Sequence, residues 1–242
     1  MTYAIISDIH SNIEALAACL KVIDAEKPDL VVCLGDIVGY GANPNECVDL
    51  VRARTAHVAV GNHDCAAIGT TDTDYFNPDA RAAVEWTRAA LTAENEAYLR
   101  ALPLTAGLPD MLLVHSSPSA PAEWLYIFNL REAVHEFRSF TERACFVGHS
   151  HFPGFFIERE RGHAQQSPPA LALGLGERAL VNVGSVGQPR DGDARAAFAF
   201  YDDATGRVEI RRVFYDVERV RGRILAEAAL PKSAAERLVW GV

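Results

Sequence analysis

Nothing in the 242-residue sequence approaches the ~18 consecutive apolar residues that would suggest a membrane-spanning helix. The first residues carry no basic segment ahead of their apolar run, so no secretory signal is expected. Cysteine is scarce and unpatterned: five residues, at 19, 33, 47, 65 and 145, odd in number and never spaced Cys-x-x-Cys. That excludes a disulfide framework and points to a reducing compartment, with the cytoplasm as the expected location. Positive charge is also short, with 23 Lys and Arg against 32 Asp and Glu and a formal net charge of -9. The Arg-rich segment 207–223 is interleaved with Glu209, Asp216 and Glu218, which makes it a solvated face. No surface of this composition grips a nucleic-acid duplex through its phosphates, and no membrane partner is expected. Internal repeats and low-complexity segments are absent. Apolar residues make up 49% of the chain, ample for a core, and a single domain over 1–242 is expected.

What the chain does have is a recurring arrangement. Five apolar runs of strand length each stop at Asp, Asn or His. Tyr3–Ile6 leads to Asp8 and His10, Asp29–Leu34 to Asp36, and His57–Val60 to Asn62, His63 and Asp64. Met111–Val114 then leads to His115, and Ala144–Val147 to His149 and His151. Near-continuous apolar runs suit strands buried on both faces, and in open α/β sheets sites form at the carboxyl ends of the strands. A lone His or Asp at such a place is usually structural, and His57, His135 and His163 are read so. Seven ligand-type residues at five strand ends are not.

Between the runs, residues 12–27 have helical periodicity with Ser11 as N-cap, and Pro44 opens a helix to about Arg54. The glycines of 35–43 serve either turns or close backbone approach to a ligand. Residues of about 65–110 form a largely helical insertion, with helices from Asn77 or Asp79 to Leu91 and over 94–102. Its Gly69–Asp74 segment reads as a loop, and the insertion is either a packing layer or a cap, with Tyr75 and Phe76 as its cleft residues. Helices are expected over 123–128 and 130–140. From Phe155 short strands follow at 155–158, 170–173, 179–183, 194–201 and 208–214, expected as an antiparallel addition to a mixed sheet. A last helix spans about 217–229, and the tail after Pro231 is uninformative.

The motifs Asp8-Ile-His-Ser-Asn12, Gly35-Asp-Ile-Val-Gly-Tyr-Gly41, Gly61-Asn-His-Asp64, His115, Gly148-His-Ser-His151 and Asn182-Val-Gly-Ser-Val-Gly-Gln-Pro-Arg190 stand in this order. In this the chain resembles the calcineurin-like metallophosphoesterases, and in its longer wording their small prokaryotic phosphodiesterase branch. The resemblance implies an α/β fold, a four-layer α/β/β/α sandwich of two mixed sheets flanked by helices. It also implies metal-dependent hydrolysis of phosphoester bonds in a small-molecule substrate by hydroxide activated at two divalent metal ions. One ion would take Asp8, His10 and His151, the other Asn62, His115 and His149, with Asp36 bridging. His63 would serve the leaving group and Asp64 would orient it. An all-nitrogen-and-oxygen donor set suits Mn, Fe, Zn or Ni without choosing among them.

Departures from relatives narrow the expectation. Serine/threonine phosphatases and dinucleoside polyphosphate hydrolases of the superfamily carry Arg where this chain has Tyr40 and Val60, so a phosphoprotein phosphatase is disfavoured. Ser116 replaces the usual Gly after the His. A non-catalytic scaffold, as in the retromer complex, goes with erosion of the catalytic His, and His63 is present. Asn12 and Arg190 are candidate substrate contacts. Arg190 has two readings: a surface ion pair with Asp191 or Asp193, or the phosphate contact that Tyr40 and Val60 cannot supply.

Overall fold

In a computed structural model describing residues 1–242, two sheets lie face to face. The first has the order β2-β1-β10-β11-β8: β1 (Thr2–Ile6), β2 (Leu30–Cys33), β8 (Ala170–Ala172), β10 (Ala196–Asp202) and β11 (Arg207–Val213). The second has the order β3-β4-β5-β9-β6-β7. Its strands are β3 (Thr105–Leu108), β4 (Met111–Val114), β5 (Ala144–Val147), β6 (Gly154–Glu158), β7 (His163–Gln166) and β9 (Arg178–Asn182). Both sheets are mixed. β1 runs parallel to β2 and antiparallel to β10, while β5 lies parallel to both β4 and β9.

Strand alternation builds the layers. Tyr3 and Ile5 of β1 face the second sheet and meet Met111, Leu113, Phe146, Phe155 and Val181 in the core between the sheets. Ala4 and Ile6 face the other way, onto α1 (Ile13–Glu26) and α2 (Pro44–Arg54) through Leu16, Cys19, Ile23, Val48 and Val51. Beyond the second sheet, Val114, Cys145, Val147 and Leu180 are covered by Ala133 of α6 (Leu130–Glu136) and by Phe137 and Phe140. This is the expected four-layer α/β/β/α sandwich, and burial on both faces is why the strands read as unbroken apolar runs.

Several local expectations are corrected. The cap of α1 is Asn12, whose side chain accepts from Ala15 N–H; Ser11 is still in the left-handed turn before it, at φ 55°. Residues 57–60 make one parallel bridge, Cys33 to Val58, because the Val60 N–H leaves the ladder for Pro103 O. The insertion holds α3 (Asn62–Ala67), α4 (Pro78–Ala90) and α5 (Ala93–Arg100), but it ends in β3, an edge strand against β4. The segment 123–128 is not a helix: a single 3₁₀ turn, Pro121–Glu123, ends at its first residue, and α6 stops at Glu136, after which Phe137 and Phe140 turn into the core. The later strands do not form one antiparallel block; β8, β10 and β11 join the first sheet, while β6, β7 and β9 join the second. Past Pro231 the chain forms α8 (Lys232–Trp240), packed on α7 (Val217–Ala226) through Ala234, Ala235 and Leu238.

Candidate metal centre

The ligand-type residues come from both sheets, not from one. Asp8 and His10 follow β1 and Asp36 follows β2, while His115 follows β4 and His149 and His151 follow β5. Their ends are tied together. The Asp8 N–H donates to Gly35 O and the His10 N–H to Asp36 O, and across the sheets the His149 N–H donates to the Asp8 carboxylate at 3.1 Å. Asp8, His10, Asp36, His149 and His151 all have positive φ, between 49° and 64°. Such backbone costs about 1–3 kcal/mol per residue. It persists because the strands beneath are anchored by the core between the sheets, where each large buried side chain contributes roughly 1.5–3 kcal/mol.

Three groups of donors converge: Asp8, His10 and His151; Asp36, His115 and His149; and His10, Asp36 and His63. In the first, His10 Nε2 lies 3.1 Å from His151 Nε2, and His151 Nε2 lies 3.2 Å from Asp8 Oδ1. In the second, His115 Nε2 lies 3.1 Å from Asn62 Oδ1 and 3.4 Å from Asp36 Oδ2. Asp36 Oδ2 is also 3.6 Å from His10 Nε2, so one carboxylate reaches both groups.

The ring nitrogens show what these groups need. Nδ1 of His10 donates to Val38 O, that of His115 to Leu34 O, and that of His151 to Gln188 O. A donor at Nδ1 leaves a lone pair at Nε2 of a neutral ring. The lone pairs of His10 and His151 therefore face each other, and that of His115 faces an amide oxygen and a carboxylate. Such facing pairs repel unless a cation sits among them. Donors at ~2.0–2.2 Å from a common ion lie ~3–3.6 Å apart, close to the spacings above. Backbone carbonyls fixing the outer ring nitrogen are the usual support of metal-bound His. The residues fit divalent cations.

Electrostatics agree. Burial lowers His10 well below the ordinary histidine range, His63 to about 4 and His149 to about 3, leaving the neutral rings that ligation requires. His115 goes the other way. Burial opposes its charge, yet Asp36, Asp8 and Asp64 push it up to about 9, the mark of a site that attracts positive charge.

Two further expectations are corrected. Asp64 does not hold His63. As residue N3 of α3 it turns back, accepting from Gly61 N–H at 3.1 Å and Val38 N–H at 3.0 Å, and burial beside Asp36 raises it to about 7. His63 Nδ1 has no protein partner and faces Gly39, where a Cβ would stand 2.6 Å away. Tyr40 and Phe76 fix the ring by contact, at centroid distances of 4.6 and 5.0 Å. Asn12 is a brace and not a cleft residue: it is buried, caps α1 and donates to Gly187 O. Nor do the glycines of 35–43 line a ligand, since Gly39 admits the His63 ring and Gly41 the His10 carbonyl.

The 182–190 segment does return to the donor edge. Ser185 Oγ donates to Asp8 O, and Gln188 O accepts from His151. Asp191 is paired with Arg212 and Asp193 with Arg195, so neither is paired with Arg190. Arg190 instead lies in the cleft beside His63 and His149, its Nε and Nη2 on Gln188 Oε1 and its guanidinium 5.8 Å from the Tyr40 ring centroid. The cleft also contains Tyr75 and Phe76, placed there by the insertion.

Sequence reasoning missed the support of His149. Its Nε2 donates to Trp124 O at 2.8 Å, and Tyr126 stacks on its ring at 4.0 Å. Trp124 is held at φ 54° at the end of a loop that buried Glu136 pins by accepting from Ser117 Oγ, Ser119 N–H and Ser119 Oγ. A Ser-Ser-Pro-Ser loop followed by a Glu at the end of a short helix carries no pattern that points to a site.

Two donor groups at the meeting edges of two sheets define a metal-binding phosphoric-ester hydrolase. The chain belongs to the calcineurin-like phosphoesterase superfamily, whose domain model matches residues 1–205. It is similar to a metallophosphoesterase of known crystal structure from Sphaerobacter thermophilus, 41% identical with a TM-score of 0.87 over 100% of this chain and 99% of that one. The uncharacterized protein MJ0912 of Methanocaldococcus jannaschii is 39% identical over 98% of this chain and 97% of its own. The hypothetical protein PH1004 of Pyrococcus horikoshii OT3 shares the fold, with a TM-score of 0.79 at 22% identity over 100% and 98% of the two chains.

Proposed function

We propose that the chain, acting as one domain, hydrolyses a phosphodiester or phosphomonoester bond in a small-molecule substrate with the help of two divalent cations. The observation that carries this is the pair of lone-pair clusters joined by Asp36. Asp8, His10 and His151 would hold one ion and Asn62, His115 and His149 the other, with Asp36 between them. Mn, Fe, Zn and Ni all suit these donors. Bound there, such cations would supply Lewis acidity toward a phosphoryl oxygen and toward a water nucleophile.

The other steps belong to side chains. Arg190 presents its guanidinium to a phosphate oxygen, since it lines the cleft beside His63 and His149. His63, wedged between Tyr40 and Phe76, supports the leaving oxygen with a hydrogen bond from its ring N–H, which a neutral imidazole retains. A small substrate suits a cleft of about 260 Å³. No helix is long and apolar enough to cross a membrane. The acidic composition disfavours duplex nucleic acid, and unpatterned cysteines favour the cytoplasm.

The test is metal removal and return. Chelation should abolish hydrolysis of an activated aryl phosphodiester, and Mn²⁺ should restore it; Asp36→Asn should lower both metal content and rate. Full activity in metal-free protein would overturn the assignment.

A further inference from the structure

We infer that the cleft takes a singly charged phosphodiester with one planar aromatic ring system among its ester groups, and that Tyr75 selects for that ring. This rests on the phosphoester-hydrolase reading above. The cleft has a volume of about 260 Å³ and is walled by Tyr40, Tyr75, Phe76, Trp124 and Tyr126, with His63 and His149 beneath. Four of these aromatic residues have structural work. Tyr40 and Phe76 hold His63, Tyr126 stacks on His149, and Trp124 supplies the carbonyl to the same imidazole. Tyr75 has none. It makes no ring contact and is 96% exposed, yet it lines this cleft. Isolated exposed aromatics are common; one facing an aromatic-walled cavity over the reactive centre has a surface to sandwich a ring.

Size and charge narrow the class. The volume is below the ~300–1,000 Å³ of sites for drug-sized ligands, enough for one ring system with its phosphate, so a second nucleoside would lie outside the aromatic walls. The cleft has one cationic side chain, Arg190, while Asp72 and Glu123 line it with carboxylates. One guanidinium matches one phosphodiester anion. The proposed metal pair would serve the reacting phosphate, and further phosphates of a polyphosphate chain would lie along walls whose one cationic side chain is Arg190 and whose carboxylates are Asp72 and Glu123.

The ring could come from a nucleoside or from another aryl ester, and the test separates them. Adenosine 5′-methylphosphate, phenyl methyl phosphate and ribose 5-methylphosphate are titrated into metal-loaded protein carrying Trp86→Phe and Trp240→Phe, followed by the fluorescence of the remaining Trp124. They are also used as competitors of bis(p-nitrophenyl) phosphate hydrolysis. Both ring-bearing esters should bind about 5–150-fold tighter than the ribose ester, the range of a single stacking interaction. Tyr75→Ala should shrink that ratio about fivefold or more, and Tyr75→Phe should keep it. Tighter binding of the adenosine than of the phenyl ester assigns a nucleoside; equal binding assigns aryl esters in general. A ratio near one in the wild type, a ratio untouched by Tyr75→Ala, or tighter binding of diadenosine tetraphosphate than of the adenosine ester overturns the inference. If metal-loaded protein hydrolyses none of the esters, the hydrolase reading fails, and the fluorescence ratio alone then decides the cleft.

Discussion

Replacing Arg190 by Ala removes the one cationic side chain of the cleft, and its contacts set the size of the effect. Within the protein the guanidinium meets neutral groups: Gln188 Oε1 at 2.8 and 3.3 Å, Tyr40 Oη at 3.5 Å, the Tyr40 ring, and the nearby Tyr126 hydroxyl. Hydrogen bonds from a half-exposed guanidinium, where water replaces the lost donor, contribute about 0.5–1.5 kcal/mol each, and a half-exposed cation–π contact about 0.5–1 kcal/mol. The variant should therefore lose roughly 2–5 kcal/mol at most, and a melt on the same preparation checks that it remains folded. A charged hydrogen bond to a phosphate oxygen is stronger, about 1.5–3 kcal/mol, which corresponds to roughly 10–150-fold in kcat/KM. If the contact is made equally in ground and transition states, KM rises and kcat holds. Arg190→Lys should recover part of the loss, since an ammonium cannot reproduce the planar two-donor edge. Steady-state kinetics on one aryl phosphodiester, with a thermal melt and metal content measured on the same preparation, decides the matter. Unchanged kcat/KM in folded, metal-replete Arg190→Ala would refute the phosphate contact.

Three other substitutions probe the supports of the site. His63→Ala should keep both metals and slow turnover ~10²–10⁴-fold for poor leaving groups, less for aryl esters; loss of a metal by elemental analysis would make His63 a ligand, as its convergence with His10 and Asp36 allows. Glu136→Ala leaves Ser117 and Ser119 without their acceptor, so a cost of about 3 kcal/mol is expected. By freeing the Trp124 loop it should also weaken metal affinity ~10–100-fold; a metal titration with wild-type affinity would show that the loop holds without Glu136. Gly187→Ala places a Cβ on the Ile9 carbonyl oxygen, where neither backbone can give way, and should yield insoluble protein or a sharply lowered melting temperature. A wild-type melt would mean that the segment can move.

Much of this molecule was legible in one dimension, and for a physical reason. Strands buried on both faces must be apolar throughout, and metal ligands must be Asp, Asn or His, so each ligand-bearing strand end stands out where an apolar run meets a polar ligand. The class of chemistry, the seven ligand-type residues and the four layers follow from that contrast together with the family's wording. Helix α8 escaped because its buried face is built from Ala234, Ala235 and Leu238, too small to show periodicity.

Tertiary structure alone decided how the pieces meet. Which strands share a sheet depends on pairings between distant segments, so the division of the later strands and the placement of ligands on two sheets could not be read from alternation. Asp64 follows His63 directly, and adjacency suggested a partnership; a helical turn points neighbouring side chains about 100° apart, and Asp64 went to backbone amides instead. Asn12 was recruited by Gly187, and His149 by a carbonyl 25 positions away. Hydrogen bonds of that kind join a side chain to backbone that every residue possesses, so the partner's identity leaves no mark on the sequence.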